Sequence, residues 1–203
     1  MHRHRAPTFP CLRPPRARPQ QTRSSGLFTP GTITPAPPEH TPPAPHPFTT
    51  RRARLEDLDR VNALHRRCSL ESRYARYATA RRELKATEFA RLVHPAAGTS
   101  WLTTPQDDPD TAVAVTHLLK TRTAGTFELA ILIGDPWQGR GLGSELTAHA
   151  LAAAADDPDC RTVTALFGAG NRRALAILRR RRIPVPAARA GLIDVVLPPP
   201  ERS

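Results

Sequence analysis

The chain lacks most of what would tie it to a disulfide scaffold, a metal fold or a membrane. Its 203 residues include three cysteines, Cys11, Cys68 and Cys160, an odd number at unrelated spacings. That argues against a disulfide framework and against a zinc motif, so no metal site is expected. No window approaches the ~20 apolar residues of a membrane span. Nor does the N-terminal region hold an apolar run of the secretory kind, about 7–15 residues long. A reduced, cytoplasmic protein with no membrane partner is the simplest expectation. Aromatic residues make up only 5% of the chain. Lysine is nearly missing too: Lys85 and Lys120 are the two among 30 basic residues, which face 18 acidic ones.

Proline and arginine are what the N-terminal region has in excess. Thirteen of the 23 prolines lie in residues 1–50, with six arginines against one acidic residue, Glu39. Apolar residues there stand singly and without period. They cannot bury enough to offset chain entropy, so residues 1–48 are expected to form a disordered tail. Met1 is the only methionine, so a shorter translated form needs a start codon other than AUG. The formal charge is +12, with +5 in residues 1–50 and +7 in the rest. Charge alone admits a nucleic-acid-associated protein. The run Arg179–Arg182 has no aromatic platform among it, however, and arginines at a helix end complement the dipole. Nucleic acid is the weaker reading, and a basic domain also suits a polyanionic cofactor.

The most informative stretch begins at Phe127. Leu129, Ile131 and Ile133 alternate with Glu128, Ala130 and Leu132, the pattern of a strand over 127–133. Asp135-Pro136 ends it, because proline cannot donate to a ladder. The loop Gln138-Gly139-Arg140-Gly141-Leu142-Gly143 follows. Leu142, Leu146, Ala150 and Ala153 then give a helical stripe. A glycine loop opening a helix leaves several backbone N–H groups free at the positive end of the helix dipole, and such a site binds phosphate.

Around this unit the chain reads as one domain over residues 49–199. A first strand is expected at Thr49–Arg54, then a helix through Leu55, Leu58, Val61, Leu64 and Cys68. His65 lies near that stripe and reads as a packing residue. Cys68–Tyr77 reads as a polar bend, Arg82–Val93 as a second helix, and Thr99–Thr104 and Thr111–Lys120 as strands. Beyond the central helix come a strand at Arg161–Phe167 and a helix capped by Asn171, with Ala174, Leu175 and Leu178 inward. A closing hairpin is expected from Ala187–Ala190 and Leu192–Leu197 around Gly191.

The loop is no P-loop, since no Gly-Lys-Ser/Thr follows it, and no acidic residue completes a dinucleotide fingerprint. It closely resembles the Gln/Arg-x-x-Gly-x-Gly/Ala signature of the GCN5-related N-acetyltransferases (GNAT), with Ile133 at the usual apolar position before it. CSLESRYARY resembles the Ser-x-Glu-Ser-x-Tyr-x-Arg-Phe stretch of the bacterial protein-lysine-acetylating type. Asn171-x-x-Ala174 resembles the family's second signature, Asn-x-x-Ala-x-x-x-Tyr. The chain departs from the family in two places. Leu178 stands where a tyrosine often serves as general acid, and Arg182-Ile183 replaces Gly-Phe.

The resemblance implies an α/β (α+β) fold: a mixed, mostly antiparallel central sheet splayed at a bulge and flanked by about four helices. It implies acetyl-CoA as cosubstrate. Residues Gln138, Gly139, Arg140, Gly141, Leu142, Gly143 and Ser144 would hold the pyrophosphate, and Asn171 would lie against the pantetheine arm. Backbone groups of Ile131, Leu132 and Ile133 would bond to the pantetheine amides between strands 127–133 and 161–167. One such N–H would act as a one-donor oxyanion hole. Glu128, the one carboxylate on the strand, is the candidate base; burial there would raise its pKa toward neutrality. The implied reaction is acetyl transfer to a primary amine, whether small amine, antibiotic, peptide N-terminus or protein lysine. A degenerate domain that senses acetyl-CoA without turnover is the alternative, and a homodimer remains open.

Overall fold

A computed structural model of the chain describes residues 48–198, apart from 78 and 80. The tail expected over 1–48 lies outside the described residues up to position 47. Six strands form one sheet in chain order. They are β1 (Phe48–Arg52), β2 (Gly98–Pro105), β3 (Ala114–Lys120), β4 (Thr126–Ile133), β5 (Thr162–Gly168) and β6 (Leu192–Leu197). Every pair is antiparallel except β4–β5. A parallel pair needs a crossover, and α4 (Leu142–Asp156) supplies it. Helices α1 (Leu58–Arg67), α2 (Leu70–Tyr77) and α3 (Ala86–Val93) lie between β1 and β2, and α5 (Arg172–Arg180) between β5 and β6.

Strand alternation sorts the core into two faces. Trp101, Leu118, Phe127 and Leu129 pack with Ala150 and Leu151 of α4, Val163 of β5 and Leu178 of α5. Leu102, Val115 and Leu132 turn the other way, onto Val61 and Leu64 of α1 and Phe89 of α3. One glycine is demanded by close approach: at Gly98, with φ of 129°, an added Cβ would sit 2.2 Å from the Leu118 carbonyl oxygen.

Three expectations need correction. Residues Leu70–Tyr77 are a helix, not a bend, and Ser69 caps it by accepting the Ser72 N–H at 3.2 Å. The second expected helix begins only at Ala86, where Glu88 reaches back to the Lys85 N–H at 3.1 Å. Residues Ala187–Ala190 form no strand. Pro184 and Pro186 have no N–H to give to a ladder, Ala190 sits at φ of 50°, and a lone bridge from Arg189 to Leu192 is all that pairs.

The end of α5 explains the Arg182-Ile183 departure. The Ile183 N–H donates to Leu178 O at 2.9 Å and the Arg182 N–H to Arg179 O at 3.0 Å. Ile183 packs in the same cluster as Leu178. This is a Schellman cap, and Arg182 occupies its left-handed position, at φ of 56°, where glycine is usual.

Candidate active site

Strand β4 carries the site because its two edges are treated differently. On one edge it pairs with β3 along its whole length in unbroken register, from Lys120–Phe127 to Ala114–Ile133. Just outside that ladder the Thr121 N–H bonds Thr126 O and the Gly134 N–H bonds Val113 O, both at 2.9 Å. Antiparallel strands alternate bonded and non-bonded pairs. Glu128, Ala130 and Leu132 therefore turn their backbone groups to β3, and Phe127, Leu129, Ile131 and Ile133 turn theirs to β5. The β4–β5 ladder stops at Glu128–Thr164, a rung carried by its flanking residues Phe127 and Leu129. Beyond it the strands part. Ile131 is the first residue with both backbone groups facing the gap.

This geometry separates the three β4 residues expected to hold a cofactor. Ile131 and Ile133 face the gap. Leu132 does not: its backbone bonds to β3 and its side chain is buried among the α1–α3 residues. The Leu129 carbonyl, not singled out by the sequence, joins Ile131 on the open edge. The Ile133 carbonyl is already occupied, since it accepts from Gln138 Nε2 at 2.6 Å.

Gln138 thereby braces the loop through its amide nitrogen, while its Oε1 is buried without a partner. Its amide nitrogen also reaches Ser72 Oγ at 3.0 Å and Asp135 Oδ1 at 3.3 Å. Asp135 is the hub of that brace. It accepts from the Ser69 N–H, the Ser69 hydroxyl at 3.0 Å and the Ser72 hydroxyl, so it sits on the N-terminus of α2. Burial works to raise the Asp135 pKa, yet the hydrogen bonds from Ser72 and Ser69 leave it lowered. Sequence reading missed this role. The signal was Ser69-x-x-Ser72, two hydroxyls one helical turn apart.

The brace presents the glycine loop. Gly139 and Gly141 adopt φ of 76° and 94°, and an added Cβ at either would meet open space. Gly143 differs: a Cβ there would lie 3.0 Å from Ile177 Cδ1 and 3.4 Å from Ile133 Cδ1. It lets α4 pack against α5 and β4. Helical bonding starts with the Ser144 and Glu145 N–H groups, both given to Gly141 O. Among the described residues, the five N–H groups of Gly139, Arg140, Gly141, Leu142 and Gly143 bond to no backbone or side-chain acceptor. Ser144 Oγ is buried there without a partner. The Arg140 guanidinium lies over the Trp137 ring, 5.6 Å from its centroid. The start of a fifteen-residue helix thus offers five amides, a hydroxyl and a permanent cation, which is chemistry suited to a pyrophosphate.

Across the gap, just after the C-terminal end of β5, Asn171 caps α5 by accepting the Ala174 N–H at 3.0 Å. Its carbonyl oxygen is spent on that cap. Leu178 is 3% exposed in the core, so no hydroxyl stands where a tyrosine is usual.

Glu128 stands on the last rung of the parallel ladder. It is exposed, not buried as expected. Its side chain shares the α1–α3 face with His117, which pairs with Ala130 on the neighbouring strand. His117 is fully buried, and burial pushes its pKa well down, so the ring is neutral. Its tautomer follows from its partner. The Ser100 hydroxyl gives its one proton to Leu92 O at 2.6 Å, so His117 Nδ1, 2.7 Å away, must donate to Ser100 Oγ. That leaves a bare lone pair on Nε2, which has no partner. His65 is buried as expected of a packing residue, 2.7 Å from the Tyr77 hydroxyl. Burial and the nearby Arg76, Arg81 and Arg73 push its pKa down to about 4.

The sequence pattern of the acetyltransferase (GNAT) domain matches residues 48–181. The chain belongs to the GNAT acetyltransferase family. No curated protein matches it in sequence. Among solved structures, this GNAT domain is similar to the GNAT domain of S. lividans PAT, with 21% identity over 73% of this chain and 88% of that one and a TM-score of 0.64. It is also similar to a spermidine N-acetyltransferase from Vibrio cholerae, solved with CoA and spermine: 13% identity, 74% and 94% covered, TM-score 0.59. A third is yncA from Salmonella typhimurium, solved with its cofactor acetyl-CoA: 15% identity, 77% and 96% covered, TM-score 0.58. At such identities the likeness is one of fold. Among the described residues no helix is long and apolar enough to cross a membrane.

Proposed function

We propose that this GNAT domain transfers an acetyl group from acetyl-CoA to a primary amine. The observation that carries the reading is the continuity of the opened β4 edge with the glycine loop: free backbone groups at Leu129 and Ile131, then five free amides from Gly139 to Gly143. The residues fit the cosubstrate. The loop, Arg140 and the buried Ser144 hydroxyl suit its pyrophosphate, and the open β4 edge suits the amides of its arm.

Acetyl-CoA, when bound, supplies the activated acyl group as a thioester. The domain's own residues position and deprotonate. The Ile131 N–H, pointing into the gap, is a donor for a developing oxyanion. Glu128 accepts the proton of the attacking amine, directly or through water. Its exposure suits the water-mediated route, since solvent reaches the carboxylate. Leu178 carries no proton, so the thiol is not protonated from that position of α5.

Calorimetric titration of acetyl-CoA, followed by a thiol-release screen over amines, tests the reading. Binding in the wild type, lost in Gly141→Val with the fold retained, is expected, together with turnover on at least one amine. An unchanged affinity in Gly141→Val overturns the cofactor site. Binding without turnover on any amine shows instead a sensor of acetyl-CoA.

A further inference from the structure

Arg76 is a cation without an anion. It lies in the last turn of α2, and it interacts electrostatically with Glu128 on β4 and with the His117 ring on β3. Its guanidinium rests on the Tyr77 ring, 4.6 Å from the centroid. Its Nε is buried and has no acceptor. Burial pushes its pKa down, which marks the cost of holding a charge there without a partner.

The other arginines of this region are provided for. Arg51 pairs with Asp57, Arg60 with Asp110, Arg66 with Glu83 and Arg81 with Glu88. Arg73 donates to the carbonyls of His65 and Cys68. Among the described residues, Arg76 has neither an ion pair nor a carbonyl. Glu128, a carboxylate whose charge acts on it through space, forms no ion pair with it either. Two opposite charges thus stand on one wall, the α1–α3 side of β4, and form no ion pair with each other.

The groups around them add little charge. His65 and His117 are neutral, for the burial and arginine effects already given, and burial raises the Tyr77 hydroxyl pKa so that it stays protonated. Arg81 also reaches the Tyr77 ring, at 5.8 Å, but Glu88 offsets its charge. Among the described residues no group of three or more Asp, Glu, His or Cys side chains converges on a cation site. Such a wall suits a ligand that carries one charge of each sign, and it opposes a polycation.

We infer that the acceptor is a small zwitterionic amino acid, its carboxylate directed to Arg76 and its ammonium to Glu128. This rests on the acetyl-transfer reading and narrows it. Arg76 is then a specificity residue, and its planar guanidinium suits a two-point bond to a carboxylate. In the reaction the ammonium gives up two protons as the N–C bond forms and the C–S bond breaks. One proton ends on the thiol, and the other leaves to solvent by way of Glu128.

The experiment uses the full chain with acetyl-CoA and compares the twenty protein amino acids with their carboxamides and with spermidine, by thiol release. At least one free amino acid should exceed its amide by about 100-fold in kcat/KM, the scale of losing a partner for a buried charge. Arg76→Gln should raise KM for that acid by a similar factor. It should leave kcat, turnover of the amide and acetyl-CoA affinity within a few-fold. Amides or spermidine turned over as well as the acid overturn the inference while acetyl transfer stands. Arg76→Gln lowering acid and amide alike also overturns it. If Arg76→Gln does not fold, the wild-type ratio of acid to amide decides. No turnover on any amine overturns the transfer reading itself.

Discussion

On the α4–α5 side of the sheet, Trp101, Phe127, Leu129, Val163 and Leu178 meet in apolar contact, with Thr116 Oγ1 the one orphaned polar atom among the described strand residues of that side. On the α1–α3 side the same strands present Ser100, His117 and Glu128 beneath Arg73, Arg76 and His65. There His65 Nδ1, Arg73 Nε, Arg76 Nε and His117 Nε2 are all buried without partners. Unsatisfied buried polar groups are costly, and a fold tolerates them where they serve a purpose. Both sides carry apolar core, but the unpartnered polar groups gather on the α1–α3 side, where the proposed reaction draws on Glu128.

Truncating the apolar side should give the largest effect. Leu151 of α4 is fully buried, and Leu151→Ala should cost about 2–5 kcal/mol in chemical denaturation. The folded fraction should keep its acetyl-CoA affinity; a change in affinity without loss of stability would break the division between the faces. On the polar side, Glu128→Gln should lower turnover by roughly 100-fold, or about 2.7 kcal/mol of barrier, with the melting temperature held. Near-normal turnover with an unshifted pH profile would make Glu128 structural.

Acid should weaken the polar side first. Folded His65 titrates at about 4, below its usual 6.5. As pH falls the unfolded chain takes up the proton earlier, so stability is complete above 6.5 and is lost from there down to 4. From about pH 7 to about pH 5 the loss should be ~2 kcal/mol from His65 alone, and His117 acts in the same direction. Denaturant midpoints that stay flat over this range would contradict the buried, neutral state of the two rings. The smallest expected effect belongs to neither face: Arg182→Gly should stabilise the domain by about 1 kcal/mol, because glycine adopts the left-handed cap without strain.

The strand–loop–helix unit was legible because two periods and a glycine run coincide between Phe127 and Ala153. Helix α2 was not. Its residues LESRYARY include few apolar side chains, and Ser69, Ser72 and Asp135 stabilise its start through contacts 66 and 63 residues apart in sequence. Leu132 shows a different limit. Alternation assigns its side chain to a face, but the direction of its backbone groups depends on which neighbouring strand each edge meets. Arg76 entered the sequence reading only as the arginine of the CSLESRYARY resemblance and His117 not at all, since an unpartnered state is visible only once every potential partner has been placed.

The central claim is that the opened edge of β4 and the loop after it form one cofactor site. Amide chemical shifts followed by NMR during an acetyl-CoA titration test it residue by residue. The largest shifts are expected at Gly139, Arg140, Gly141, Leu142 and Gly143 and at Ile131, with Leu132 and Ala130 changing little because their N–H groups stay bonded to β3. Saturable binding that leaves the loop amides unmoved, or that moves Leu132 more than Ile131, would contradict the account.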